Sequence, residues 1–377
     1  MRARRIWVGT VMLVLGAAGI AAAAGTAPAD VPQQDYKFLH WVERALPWYP
    51  DSNFTIVKDQ RFQTPSGSYR VLEVKRDCST RYLAGTTSWV IDEVAGMAWT
   101  GALGDLPPQG AGLGPAAIKK FLESFLPQAM ERSMRMRTSV SWDTGGIPSG
   151  ALIPFTLKVQ SGYGQFDKPV AMTADGKMLL LGNCLPYSED PVAHRKKELE
   201  KSSLVMWDHP SGKAKVDIVE FSDFECPACK AKWPVIRDTL KKYGAEIRHG
   251  MSNFPLTNIH PWSFRAASAA WCVASQDPLM LLPLKEHFYS LQGQMTVSQV
   301  GSTAETFVTD HDLDGMAFSS CFLAKPSLNA VNHQLTLAQD LGINATPTYF
   351  VNGWEIQLPE ENWFEPLVGR LAAGQEP

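Results

Sequence analysis

The feature that most constrains this chain is the segment Phe224-Glu225-Cys226-Pro227-Ala228-Cys229-Lys230, which follows the apolar run Val216 to Phe221 and opens an amphipathic stretch through Trp233, Ile236 and Leu240. The pattern predicts a strand that delivers two cysteines to the N-terminus of a helix. Pro227 suits the first helical turn, where a missing N–H costs little. The unpaired N–H groups and positive end of a helix favour a thiolate over a thiol, so the placement suits sulfur chemistry. Two sulfurs at this spacing can close into a small disulfide ring or open to a dithiol.

A zinc site would need two further Cys or His ligands at matching spacing. The chain has no second pair of this kind, and its eight histidines, among them His249, His260 and His287, are scattered singly. No metal and no cofactor are expected. A second element lies far downstream, Asn344-Ala345-Thr346-Pro347-Thr348-Tyr349-Phe350-Val351-Asn352-Gly353. A proline directly before a β-rich run that ends in an Asn-Gly turn reads as an edge or turn proline, with a cis bond as the other option.

Together these elements resemble the thioredoxin superfamily, and the wording FSDFECPACK, HPW and TPTYFVNG resembles its DsbA-type branch of exported thiol-disulfide oxidoreductases, over about residues 206–377. The resemblance implies an α/β thioredoxin-like fold with a helical insertion at about 260–342. It gives Cys226 the role of nucleophile and Cys229 that of resolver, lays the Thr346-Pro347 loop against both as the place where an extended substrate pairs, and makes Glu220 a buried carboxylate that assists proton transfer. Helical periodicity covers 262–276, 281–291, 304–323 and 328–341, followed by strands at 348–351 and 354–357 and a closing helix over 360–373. His260-Pro261-Trp262 opens the insertion; a lone histidine there is read first as a cap or core residue and second as a catalytic one. Lys230 and Lys232 add positive charge one turn into the helix, weakened by solvent screening.

The N-terminus supports export independently. Met1 to Arg5 is basic, Ile6 to Ile20 is apolar, and Ala21 to Ala24 supplies small residues for cleavage, so residues 1–24 read as a signal peptide. The alternative is an uncleaved anchor, since the apolar and small residues together approach the length of a membrane span. A periplasmic or otherwise exported location follows. An apolar content of 45% over 377 residues is enough for two cores, and a net charge of −3 gives no electrostatic reason to expect nucleic acid as a partner.

Six cysteines in an oxidising compartment invite pairing. Sorted by position along the chain, the four outside the central pair suggest Cys78–Cys184 and Cys272–Cys321, with free thiols as the alternative. The chain-entropy model gives a bridge across the roughly 50-residue second loop about 4 kcal/mol. A second disulfide between helices also occurs in part of the DsbA-like family.

Residues 25–205 carry no catalytic signature and read as an α+β region of two repeated units, at 33–105 and 115–185, with a charged linker at 186–205 expected to be a solvated helix. Each unit has a helical run, Phe38 to Leu46 or Ala117 to Met130, followed by alternating segments, and matching Pro-Ser-Gly turns at 64–67 and 147–150 strengthen the pairing. Gly101 to Gly114 reads as the connector. Ala171 to Met178 is similar to the N-terminal hairpin of DsbC-type isomerases, although a DGK turn is common in hairpins.

The expected activity is disulfide exchange with protein substrates bearing thiols or disulfides, followed by recycling through a redox partner, which can be membrane-bound. Disulfide formation is the first reading. The dipeptide between the cysteines lacks the histidine of the strongest DsbA oxidases, and Thr346 rather than valine precedes the proline. Both departures leave open a DsbC- or DsbG-like isomerase or reductase, dimerised by the N-terminal region, and a different class, a peptide-binding chaperone-like module.

Overall fold

The computed structural model describes residues 33–105, 115–134, 137–144, 146, 149–160, 165–173, 178–208, 214–357 and 359–377. The signal segment 1–24, the 106–114 part of the connector, Ile147 and Pro148 of the second Pro-Ser-Gly turn, and the DGK turn at 174–177 lie outside the described residues.

The N-terminal region begins with α1 (Gln33–Ala45) and four strands, β1 (Asn53–Thr64), β2 (Gly67–Asp77), β3 (Gly85–Asp92) and β4 (Met97–Asp105). It continues with α2 (Pro115–Met134), β5 (Arg137–Ser141), β6 (Leu152–Gln160), β7 (Gln165–Thr173) and β8 (Met178–Pro186). Each unit is thus one helix and a four-stranded meander. The two meanders are not separate small sheets: they fuse edge to edge into one eight-stranded antiparallel sheet, ordered β1-β2-β3-β4-β8-β7-β6-β5.

The alternation along the strands explains the layers. Leu72, Val74, Trp89 and Ile91 face α1, meeting Phe38, Trp41 and Val42, while the intervening Val71 and Val90 join a second buried cluster with Trp99 and Leu180. Phe155, Leu157 and Val170 meet Ile118, Leu122 and Leu126 of α2. At the central seam Gly101 pairs with Gly182. A Cβ on Gly182 would stand 1.9 Å from the Thr100 carbonyl oxygen, and Gly101 has φ +141°, so this register requires glycine on both strands.

The linker forms α3 (Pro191–Lys201), capped by Asp190, which accepts hydrogen bonds from the N–H groups of Val192 and Ala193. It is not the solvated bridge that its charge suggests. Arg195 is buried, donates to the carbonyls of Arg44 and Ala45 at the end of α1, pairs with Glu355 at 3.1 Å, and lies 5.6 Å from the Phe350 ring centroid. Those two carbonyls are among the acceptors that a helix leaves unpaired at its C-terminus. A cation buried for this purpose shows no amphipathic pattern in the sequence.

The C-terminal half contains β9 (Met206–Trp207), β10 (Val216–Ser222), α4 (Pro227–Tyr243) and β11 (Ile247–Asn253), then the helices α5 (Ser263–Ala274), α6 (Leu281–Ser290), α7 (Val300–Asp310), α8 (Gly315–Cys321) and α9 (Lys325–Asp340). It closes with β12 (Thr348–Val351), β13 (Trp354–Ile356) and α10 (Glu361–Ala372). The sheet order is β13-β12-β10-β11-β9, with β10 and β11 parallel and β12 antiparallel to β10. The β12–β13 hairpin turns at Asn352 (φ 49°) and Gly353 (φ 89°), the left-handed conformations that an Asn-Gly turn requires. Central β10 is buried on both faces: Val216 and Ile218 pack with α4 and α10, and Val219 and Phe221 pack toward α9. The helical region expected over 304–323 splits into α7 and α8, because Asp312 adopts φ 56° and Asp314 caps a new helix through the N–H groups of Met316 and Ala317.

Contacts between the halves are polar and aromatic. The Trp48 N–H donates to the Glu355 carbonyl (2.7 Å), Trp48 meets Trp363 edge-on at 5.5 Å, and the Asn183 amide donates to the Gly342 carbonyl (2.9 Å). Burial pushes the Glu355 carboxyl up despite Arg195, so the pair depends on its partner. Replacing Arg195 alone by leucine is expected to cost about 3–5 kcal/mol in urea unfolding, as leaving one buried charge unpaired does, while Arg195→Leu with Glu355→Leu recovers most of the loss. Equal losses in the single and double variants would show that the pair does not hold this interface.

Candidate active site

The strand-to-helix turn forms as the sequence pattern implies. Cys226 occupies the N-cap of α4 with extended backbone (φ −71°, ψ 118°), and Pro227 follows at the first helical position. Cys226 and Cys229 are present as thiols. The Cys226 thiol is held down at about 6: the Cys229 thiol donates to it, burial opposes, and the N–H groups of Cys229 and Ala228 add further stabilisation. Cys229 moves the other way, pushed up by complete burial, by the charge of Cys226 and by Glu220.

The downstream element reaches the same place. The Thr346–Pro347 peptide bond is cis, and the Thr346 carbonyl oxygen lies 3.6 Å from Cys226 Sγ. The structure therefore brings Cys226, Cys229, Thr346 and Pro347 together, although 120 residues separate Cys226 from Thr346.

Glu220 is fully buried on the β10 face shared with Val216 and Ile218, below Cys229. It accepts a hydrogen bond from Lys285 Nζ of α6 and lies 3.7 Å from His249 Nε2 of β11, whose Nδ1 is 3.0 Å from Asp208. Burial alone would raise the Glu220 carboxyl, but Lys285 and His249 outweigh it and hold it at about 2. The resting carboxylate is thus ionised and paired, rather than a free acid waiting for a proton. Lys285 also sits 4.0 Å from the Trp233 ring centroid. Tyr289 and Tyr349 complete the buried surroundings of Cys229, with the Tyr289 hydroxyl 3.1 Å from Ser222 Oγ.

Two further contacts fix the turn from the helical side. Gln292 Nε2 donates to the carbonyls of Phe224 (2.7 Å) and Cys226 (3.1 Å). The carboxylate of Asp223 accepts from the N–H groups of Glu225 and Leu256, and lies 2.7 Å from His260 Nδ1.

Lys285, His249, Asp208, Asp223 and Gln292 are the residues that the sequence reading missed. Lys285 did leave a signal, because it stands in the apolar spacing Leu281, Leu284, Lys285, Phe288, Tyr289, where a lysine needs a buried partner. Among the described residues, no group of three His, Cys, Asp or Glu side chains is arranged to hold a metal ion.

The remaining cysteines divide. Cys272 in α5 and Cys321 in α8 form a disulfide, with Cα atoms 5.8 Å apart. The expected Cys78–Cys184 bridge is not formed. Cys184 pairs with Trp99, which pairs with Val90, which pairs with Val71, so Cys78 lies seven residues along β2 and three strands away. That displacement amounts to more than about 20 Å along the strand alone, against a bridging limit near 7 Å between Cα atoms. Position along the chain carried no information about register across the sheet.

Residues 211–365 match the family model described as Thioredoxin. The C-terminal half thus has a thioredoxin-like fold, with helices inserted between β11 and the cis-proline strand, and the N-terminal region is a separate sheet-rich domain. Similar solved structures include ScsC of Proteus mirabilis, 20% identical with a TM-score of 0.41 over 49% of this chain and 80% of that one. Another is α-DsbA1 of Wolbachia pipientis, 17% identical with a TM-score of 0.42 over 48% of this chain and 96% of that one. Curated relatives include the Na(+)/H(+) antiporter NhaA 3 of Salinispora tropica, 30% identical over 148 residues, which are 39% of this chain and 22% of the relative. NhaA 1 of Mycolicibacterium vanbaalenii is 31% identical over 172 residues, 45% of this chain and 27% of the relative. The chain thus spans about a quarter of the length of these curated relatives.

Two measurements test the site. Thiolate absorbance of the reduced protein should titrate Cys226 near 6, and a midpoint at the ordinary thiol value would exclude the stabilised thiolate. The Glu220 pairing stabilises the fold above about pH 4.5, where the unfolded carboxyl is also ionised, and this contribution is lost as pH falls toward 2. Glu220→Gln should flatten the fall in urea midpoint over that window.

Proposed function

We propose that this protein is an exported thiol-disulfide oxidoreductase that introduces disulfides into protein substrates through Cys226 and Cys229. The observation that carries the reading is the opposed behaviour of the two thiols: Cys226 is a stabilised thiolate at the helix N-cap, and Cys229 is a protonated thiol beneath it. Stabilising the thiolate of the reduced pair favours reduction of the Cys226–Cys229 disulfide, which makes the pair an oxidant.

In the oxidised enzyme a substrate thiolate attacks Cys226 Sγ, the Cys226–Cys229 bond breaks, and its electron pair leaves on Cys229. A second substrate thiolate then attacks the substrate sulfur of the mixed disulfide and expels Cys226 as a thiolate. The substrate loses two electrons and the pair gains them. A redox partner accepts these electrons to restore the disulfide. The Thr346 backbone beside Cys226 offers an extended substrate a place for strand addition, which accepts many sequences. The basic, apolar and small-residue order of residues 1–24 supports export to a periplasmic or equivalent compartment.

Cys229→Ser should trap substrates in mixed disulfides through Cys226, visible on non-reducing gels, while Cys226→Ser should trap none and lose all oxidation of a reduced model protein. Under mild reductant Cys226–Cys229 should open first, with Cys272–Cys321 persisting on peptide maps. Trapping through Cys229, or undiminished oxidation by Cys226→Ser, would remove the assignment.

A further inference from the structure

The turn that presents Cys226 sets two carboxylates beside the helix N-terminus that favours its thiolate. Asp223 stands three residues before the sulfur and Glu225 one residue before it, and both carboxylates are committed to local structure. Asp223 is 2% exposed and accepts from the N–H groups of Glu225 and Leu256 at 2.8 Å each. Glu225 accepts from the Trp262 N–H at 2.7 Å. Two anions this close should push a neighbouring thiol up. The dipeptide between the cysteines, proline and alanine, offers no charge to oppose them.

His260 opposes them from another element. Its backbone N–H donates to the Leu256 carbonyl and its carbonyl accepts from Ser263 Oγ, so the residue is fixed at the entry to α5. Its ring is nearly buried, with Nδ1 2.7 Å from Asp223 Oδ2. The ionisable groups that face the ring are Asp223, Glu225 and Cys226. All three are anions when Cys226 is ionised, and together they favour the protonated imidazole over the burial that opposes it.

We infer that His260 is a positioning residue for the nucleophile: as an imidazolium locked on Asp223, it cancels the carboxylate that would otherwise repel the Cys226 thiolate. The arrangement places the compensating charge on the helical insertion rather than between the cysteines. It rests on the reading of Cys226 as nucleophile given above and adds what sustains that state.

The test is a charge cycle in the full-length protein, read by thiolate absorbance and by alkylation rate at fixed pH. His260→Gln keeps a donor for Asp223 but leaves the carboxylate uncompensated, so the Cys226 midpoint should rise and alkylation below it should slow by about tenfold, the effect of one unit. Asp223→Asn combined with His260→Gln removes both charges and should return the rate to within about twofold of the unmodified protein. A structural role alone predicts that the double variant is no better than the single one. An unchanged single variant, or a double variant without recovery, overturns the inference.

The unmodified protein gives a second measurement if His260→Gln does not fold. By linkage, the His260 ring should titrate at higher pH when Cys226 is a thiolate than after Cys226 is alkylated, as followed by the imidazole proton resonances. Identical titrations overturn the inference. If Cys226 of the unmodified protein titrates at an ordinary thiol value, the proposed function itself fails. If Cys226 titrates low and is indifferent to His260, only the role of His260 is lost.

Discussion

The carboxylate of Glu220 is the charge around which the thioredoxin-like half is assembled. An unpaired carboxylate in the middle of a sheet buried on both faces would cost several kcal/mol. Its partners come from separate parts of the chain: Lys285 from the helical insertion, His249 from the adjacent parallel strand, and Asp208 behind His249 from the segment that leads into the domain. The insertion must therefore dock for the sheet to be electrically complete. Once docked, the same insertion supplies Gln292 to the turn carrying Cys226 and the loop that brings His260 to Asp223. A buried ion set is weak evidence for added stability, but it ties correct assembly of the core to correct assembly of the sulfur site.

The N-terminal domain solves a different problem. Two four-stranded meanders each have a free edge, and joining β4 to β8 through the glycine pair removes one from each. The remaining long edge, β1, carries a bulge between Ile56 and Lys58, which disturbs the regular ladder that another strand would need. The domain is bolted to the thioredoxin-like half at β13 by Arg195 and Glu355, and touches the segment leading to the cis-proline loop through Asn183 and Gly342.

What the sequence made legible was local. The strand, the cysteine pair, Pro227 and the helix that follows are neighbours in the chain, and so are the strands on either side of the Asn352-Gly353 turn. Helical and alternating periodicities located most elements, and the two-unit pattern of the N-terminal region corresponds to the two halves of its sheet. Harder to read were relations fixed by register and docking. Lys285 is 65 residues from Glu220, and nothing near either residue names the other. The charges of 191–201 suggested a solvated helix because composition reports an average, whereas the position of Arg195 is decided by two carbonyls at the end of α1. The pairing of Cys78 with Cys184 failed for the same reason, since strand order within an eight-stranded sheet cannot be read from spacing.

Those two cysteines also bear on which thiols of the molecule are able to react. Cys184 is half-buried, and burial with the nearby Asp92 holds its thiol well above the ordinary range, so it supplies almost no thiolate. Cys78 donates its S–H to the Thr80 carbonyl, far from Cys184 in the sheet. Neither sulfur has an intramolecular partner within bridging distance, and one is protonated at any physiological pH. The sheet therefore acts as insulation: it holds these two thiols apart from each other and keeps that of Cys184 in its protonated form.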